Sequence, residues 1–321
     1  TVLSNWVIYL KSGKMFPFLK TRSKEHLTKN EKKEIKKNIF AMFFHRMGTF
    51  VVFGTDNLLI SKFVGIIEVG LYSNYTMITN SIMTAMNLVF SSITASIGNL
   101  VNHEEKEKSY SIFKNVFFAN SWMIVFCAVC LYVLFNPFIE LWLGKEYTFD
   151  SIIVAVIVLN FYLTHIRFPA NVFKEVCGLF WNDRYKSVVE SIVNLVFSLY
   201  LVGKWGILGV FVGTTISTVT VCFWVEPFIL YRHYFKKSLI EYFSLFFKYT
   251  LVGVISIVMI LAVTEWIALG MIGSFLAKVL LCLVVPNLLF FVLFHKKEEF
   301  QYFIQMFSRI TNKINPRKKL S

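Results

Sequence analysis

Charge and proline are both scarce in this chain. Only 16% of its 321 residues are Asp, Glu, Lys or Arg while 56% are hydrophobic, and a soluble domain of this length has too little polar surface to cover so much apolar side chain. Six prolines leave room for long uninterrupted helices. Strict apolar/polar alternation is also missing, which excludes a membrane barrel. What is there instead is a series of apolar runs of about 20 residues between charged clusters, the length a helix needs to cross about 30 Å of hydrocarbon. The chain is therefore read as an all-α polytopic membrane protein.

Catalytic signatures are missing as well. The cysteines, Cys127, Cys130, Cys177, Cys222 and Cys282, form no framework, and four of them lie inside apolar runs. Cys127-Ala-Val-Cys130 has the spacing of a redox or metal motif but no basic neighbour, turn or second ligand pair, so it reads as packing. His26, His45, His103, His165, His233 and His295 are scattered without ligand spacing, and "GILGVFVG" follows no strand that would make it a phosphate loop. No enzyme activity, metal or resident cofactor is expected. No signal peptide is recognisable, and "TVLSNWVIYL" resembles the tail of a spanning helix, so the sequence is taken as a C-terminal part of a longer protein.

Eight full spans are expected after that tail, at roughly residues 38–64, 69–99, 110–135, 150–173, 184–203, 205–230, 244–265 and 273–295. The net charge of +14 could suggest nucleic acid, but most of the excess lies between spans. Lys11, Lys14, Lys20, Arg22, Lys24, Lys29, Lys32, Lys33, Lys36 and Lys37 precede the first full span, and Arg309, Lys313, Arg317, Lys318 and Lys319 close the chain. Such clusters face anionic lipid on the cytoplasmic side, so both ends of the chain are expected on the cytoplasmic side of a plasma membrane and no nucleic-acid partner is expected. The outer connections are short, which leaves no external domain. Thr28 and Glu31 have capping-box spacing, so a helix is expected to start there, carry Ile35 and Ile39 toward lipid and run into the first span. A solvated charged linker is the plainer reading of the same residues.

Hydrogen-bonding residues recur at helical spacing inside several spans. One face of the second span carries Ser73, Thr76, Asn80, Thr84, Asn87, Ser91 and Thr94; the fourth carries Asn160, Thr164, Arg167 and Asn171; the fifth carries Ser187, Glu190, Ser191, Asn194 and Ser198. In the first span His45, Thr49 and Asp56 align, with Arg46 about a quarter-turn away. Small polar stripes are ordinary helix-packing surfaces, whereas buried Arg46, Asp56, Arg167 and Glu190 call for partners or a water-filled cavity. An Asp at the centre of a spanning helix costs roughly 2.5 to 3.5 kcal/mol on insertion scales, so Asp56 needs a cavity or a packing hydrogen bond. Gly209, Gly213 and Ser217 give the sixth span a small-residue packing face.

"EIKKNIFAMFFHRMGTFVVFGTDNLLISKFVGIIEVGLYSNYTMI", "SSITASIGNLV", "NPFIELWLGKEY" and "GLFWNDRYKSVVESIVNLVFSLYLVGKWGILGVFVGTTIST" together resemble the C-terminal half of Wzx-type polysaccharide flippases, in the multidrug, oligosaccharidyl-lipid and polysaccharide (MOP) exporter superfamily. The resemblance covers about residues 1–235; the remainder corresponds to two extra spans that many members carry. It implies two six-helix lobes around a central cavity and alternating access for undecaprenyl-diphosphate-linked oligosaccharide. On that template residues 1–10 end a truncated helix, 11–37 join the lobes, 38–230 form the second six-helix lobe of a MOP/MATE-like transporter, 231–295 add two transmembrane helices and 296–321 are a basic tail, while the N-terminal lobe is missing.

The resemblance assigns the diphosphate to Arg46 and Arg167 and the sugar to the cavity stripe of Asn80, Thr84, Asn87, Asn160, Thr164 and Asn194. Asp56 and Glu190 are charge partners or ion-coupling carboxylates, with coupling to a proton or sodium gradient or to membrane potential left open. Neutral hydrogen-bonding groups suit a sugar, and guanidinium suits a phosphate. Further expected partners are anionic lipids and other polysaccharide-assembly proteins. Three other readings stay open: a drug exporter of the same superfamily, which would favour an aromatic and acidic pocket; a repeat-unit polymerase, which would need a large outer loop; and a scaffold subunit that transports nothing.

Overall fold

The computed structural model describes residues 2–16, 28–103, 105–266 and 269–305. The described residues contain no strand. Eleven α-helices follow in order: α1 Val2–Met15, α2 Lys29–Phe63, α3 Ile66–His103, α4 Lys106–Trp142, α5 Ser151–His165, α6 Phe168–Val176, α7 Lys186–Trp205, α8 Ile207–Ser217, α9 Phe223–Leu230, α10 Leu239–Glu265 and α11 Met271–Phe294. Residues 298–305 are helical again. The chain divides into two units, Thr1–Phe40 and Ala41–Ser321.

In the first unit α1 is followed by the opening of α2. Thr28 and Glu31 form a reciprocal cap there: the Thr28 backbone N–H donates to Glu31 Oε2 at 2.7 Å and the Glu31 N–H donates to Thr28 Oγ1 at 3.3 Å. Both bonds satisfy donors that a helix start otherwise leaves open. The Thr28 N–H and the Thr28 hydroxyl both donate to Glu31 Oε2 and hold that carboxyl below the usual carboxylate range. Ile35 and Ile39 are exposed. The linker residues 17–27 lie outside the described residues.

In the second unit α4 is the central column, with α5, α10 and α11 packed along it. Stacked and edge-on rings build the core at its start, among them Tyr110, Phe113, Phe117, Tyr231, Phe235 and Tyr242. Trp122 donates to Asn287 Oδ1 at 2.9 Å and stacks on Phe290, which ties α11 to α4. At the opposite end a closed circuit joins α3 to the α4–α5 connection. Tyr75 donates to Asn136, Asn136 donates to the Phe149 carbonyl, and the Phe149 N–H donates back to Tyr75.

The α7–α8 pair is a tight hairpin turned at Gly206, whose φ of +57° lies in the left-handed region that disfavours other residues. Gly209 and Gly213 face α7 so closely that a Cβ on Gly213 would stand 2.7 Å from the Ser198 backbone nitrogen. This is the contact that small-residue spacing permits.

Among the described residues six stretches are long and apolar enough to cross a membrane: Lys106–Trp142, Ser151–Val176, Leu179–Trp205, Ile207–Phe235, Leu239–Glu265 and Met271–Phe294. The expected spans at 38–64 and 69–99 correspond to α2 and α3, which have 35 and 38 residues but fall outside this group. Two other expected spans are not continuous. Residues 150–173 break between α5 and α6 at Ile166 and Arg167, one residue ahead of the Phe168-Pro169 helix start. Residues 205–230 pass through a π turn at Thr218–Cys222, and a second π turn follows at Tyr231–Phe235.

Candidate functional site

The break between α5 and α6 frees backbone carbonyls inside the protein, and side chains recover them. Asn120 of α4 donates to the carbonyls of His165 and Ile166, both at 3.3 Å, while Arg167 Nε donates to Leu163 at 2.9 Å. Non-helical backbone at membrane depth is tolerated only with such partners.

Arg167 then anchors an ion network. Its guanidinium meets Glu226 of α9 at 2.9 Å, and Lys186 at the start of α7 binds the other Glu226 oxygen. Lys186 also stands 3.8 Å from Asp183, which pairs with Lys174 of α6. Three cations and two carboxylates thus fasten α6, α7 and α9 at one end of the unit. All five are buried or nearly so, so each charge depends on its neighbours for the solvation that water would supply. The sequence reading paired Arg167 with no particular acid and left out Glu226, Lys174, Asp183 and Lys186. Glu190, the carboxylate it did name on α7, is half-buried and within electrostatic reach of Arg167, but Glu226 makes the direct contact.

A second cluster gathers around Asp56. Its carboxylate is 7% exposed, and Oδ2 accepts a hydrogen bond from Thr214 Oγ1 of α8 at 3.1 Å. Asn194 of α7, 1% exposed, donates its amide to the same Thr214 oxygen at 3.0 Å. That leaves Asp56 Oδ1 and Asn194 Oδ1 buried with no hydrogen-bond donor. Two unsatisfied oxygens in one cluster, one carrying formal charge, are the chemistry that a proton, a small cation or an ordered water completes. Along α8 the cluster continues, with Asn160 donating to the Phe211 carbonyl at 2.9 Å and accepting from Thr215 at 2.7 Å.

The remaining named residues are more open. Asn80, Thr84 and Asn87 are exposed along α3, and Thr84 returns its hydroxyl to the Asn80 carbonyl. Arg46 is exposed on α2, and Thr164 is half-buried one turn before Arg167. The side chains of His45, Thr49 and Ser91 lie outside the described residues. The structure therefore joins Asp56 with Asn194 through Thr214 and sets Asn160 of α5 against the same helix, α8. It sets Arg167 in a separate network and leaves the α3 stripe on an open face.

Among the described residues no group of His, Cys, Asp and Glu is placed to hold a metal ion by itself. Together the helices and these polar clusters define a multi-pass, all-α membrane protein with buried ionisable groups. No family model, curated protein or solved structure matches the chain.

Proposed function

We propose that the chain is the second lobe of a plasma-membrane flippase that moves undecaprenyl-diphosphate-linked oligosaccharide by alternating access, for cell-surface polysaccharide synthesis. A first lobe, supplied by the rest of the protein, would face it. The carrying observation is a buried, half-satisfied carboxylate, Asp56, next in sequence to a helix, α3, whose hydrogen-bonding face of Ser73, Asn80, Thr84 and Asn87 is open. Exposed amides and hydroxyls gain nothing from lipid, so a face of this length suits water, a partner lobe or a polyhydroxylated substrate.

The roles follow from position. The α3 face meets sugar, with Asn160, Thr164 and Asn194 behind it. Arg46 is the open guanidinium for the diphosphate, and Arg167 joins it only when it leaves Glu226. Asp56 and Asn194 are the residues that would hold a coupling proton or sodium ion, which supplies driving force from its gradient. Glu190 is a charge partner of the Arg167 network. The basic segments support a cytoplasmic side for both ends, against anionic lipid.

The test is polysaccharide export in cells that depend on this protein. Arg46→Ala combined with Arg167→Ala should abolish export per molecule of inserted protein and leave substrate on the inner leaflet, and Arg46→Ala alone, at a residue outside the buried ion network, should reduce export at normal protein abundance. Wild-type export by the double variant would remove the diphosphate assignment. Single repeat units accumulating outside would instead favour a polymerase.

A further inference from the structure

Helices α5 and α10 both pack on α4, and a cleft of about 310 Å³ opens between them. Its lining falls within residues 125–132 of α4, 155–162 of α5 and 250–257 of α10, so each wall runs for about 10 Å along its helix. Val125 and Val129 form a buried floor, while Leu159 and Val254 are exposed at the rim. Small residues make the space: Ala155 faces it from α5, and Gly253 brings α10 so near α4 that a Cβ there would stand 3.0 Å from Val125 Cγ1. One end is closed by a bridge from α5 to α10. Thr250 gives its own proton to the Phe246 carbonyl at 2.8 Å, so Tyr162 donates to the Thr250 oxygen at 2.7 Å. Tyr132 of α4 supplies the only other side-chain hydroxyl in the lining. All three walls belong to stretches long and apolar enough to cross a membrane, so the mouth opens on hydrocarbon.

We propose that this cleft is a binding site for one acyl chain of a membrane phospholipid, seated lengthwise between α5 and α10. Size and chemistry select that occupant. A buried water needs two to four polar partners, and the two hydroxyls at the closed end already satisfy each other and a carbonyl. A helix from a partner or a second copy is 10 to 12 Å across and would fill about 800 Å³ or more over the same length. An extended hydrocarbon chain fits the slot and asks for no hydrogen bond. Phospholipid chains are the bulk medium at the mouth, so mass action loads them ahead of any scarcer lipid. Once seated, the chain gives the floor valines the dispersion contacts that a gap forfeits, and it sets the separation of α5 and α10 beside the Tyr162–Thr250 bridge. The site needs only the membrane setting, so it stands or falls apart from the transport reading.

The experiment is photolabelling of the full protein in proteoliposomes of phosphatidylethanolamine and phosphatidylglycerol, doped with a phospholipid that carries a diazirine midway along one acyl chain. Peptide mass spectrometry should find adducts on Val125 and Val129, which lipid at the protein's outer surface does not reach. Adducts on Leu159 and Val254 should exceed, several-fold, those on Val284, a comparably exposed residue in the middle of α11. Ala155→Phe, which puts a ring into the cleft, should remove the floor adducts and leave Val284 labelling unchanged. If that variant does not fold, Ala155→Leu should cut the floor adducts several-fold. The acyl-chain site is overturned if floor adducts are absent, if they survive the filling substitution in folded protein, or if only a polyprenyl phosphate probe labels the floor.

Discussion

Thr28 and Glu31 show how much one spacing can carry. The capping pair was legible in the sequence because both partners lie within one helical turn, and local bonds need no tertiary information. It also carries a pH dependence. The Glu31 carboxyl titrates lower in the folded chain than when unfolded, so its stabilisation is present above the ordinary glutamate value. It is lost as pH falls through the lowered one. Hydrogen-exchange protection at the first turn of α2, corrected for the pH dependence of the intrinsic rate, should therefore fall on acidification, and Glu31→Gln should flatten that dependence. Asn120 is the opposite case, since nothing in its neighbourhood reveals that it serves two carbonyls 45 and 46 residues away. Asn120→Ala strips the bonds from buried carbonyls and should cost about 1 to 3 kcal/mol, read as a lowered Tm.

At the scale of elements, the sequence located apolar runs well and their interruptions poorly. Hydropathy registers composition, and the α5–α6 break at Ile166 and Arg167 sits within residues apolar enough to read as one span. Pro169 was the available clue. The ion network was missed for a related reason: Lys174 and Asp183 flank a connection that reads as a charged loop, and only folding turns them inward against Lys186 and Glu226. Removing one member of such a network leaves its partners buried and unpaired. Glu226→Gln should therefore lower stability by about 3 to 5 kcal/mol in chemical or thermal unfolding. Replacing Arg167, Lys186 and Glu226 together with apolar residues of similar size should cost less than that single change. In the α7–α8 hairpin the glycine spacing was readable and its partner was not. Gly213→Ala pushes a methyl into Ser198 and should cost about 1 to 3 kcal/mol.

For the whole molecule, membrane character follows from the apolar runs, and six stretches satisfy both length and hydropathy. The long helices α2 and α3 carry many of the polar residues named above, and on α2 Asp56 sets a buried carboxylate within a largely apolar stretch of sequence. The sequence marked Asp56 as expensive in lipid, but not that Thr214 of α8 would meet it from 158 positions away, with Asn194 of α7 bonded to that same threonine. The most direct measurement is ion-gradient-driven translocation of lipid-linked oligosaccharide in proteoliposomes, comparing the wild-type protein with Asp56→Asn at equal abundance. The account predicts that the variant loses its response to the gradient and falls to the rate seen without one; gradient-dependent translocation at the wild-type rate would contradict it.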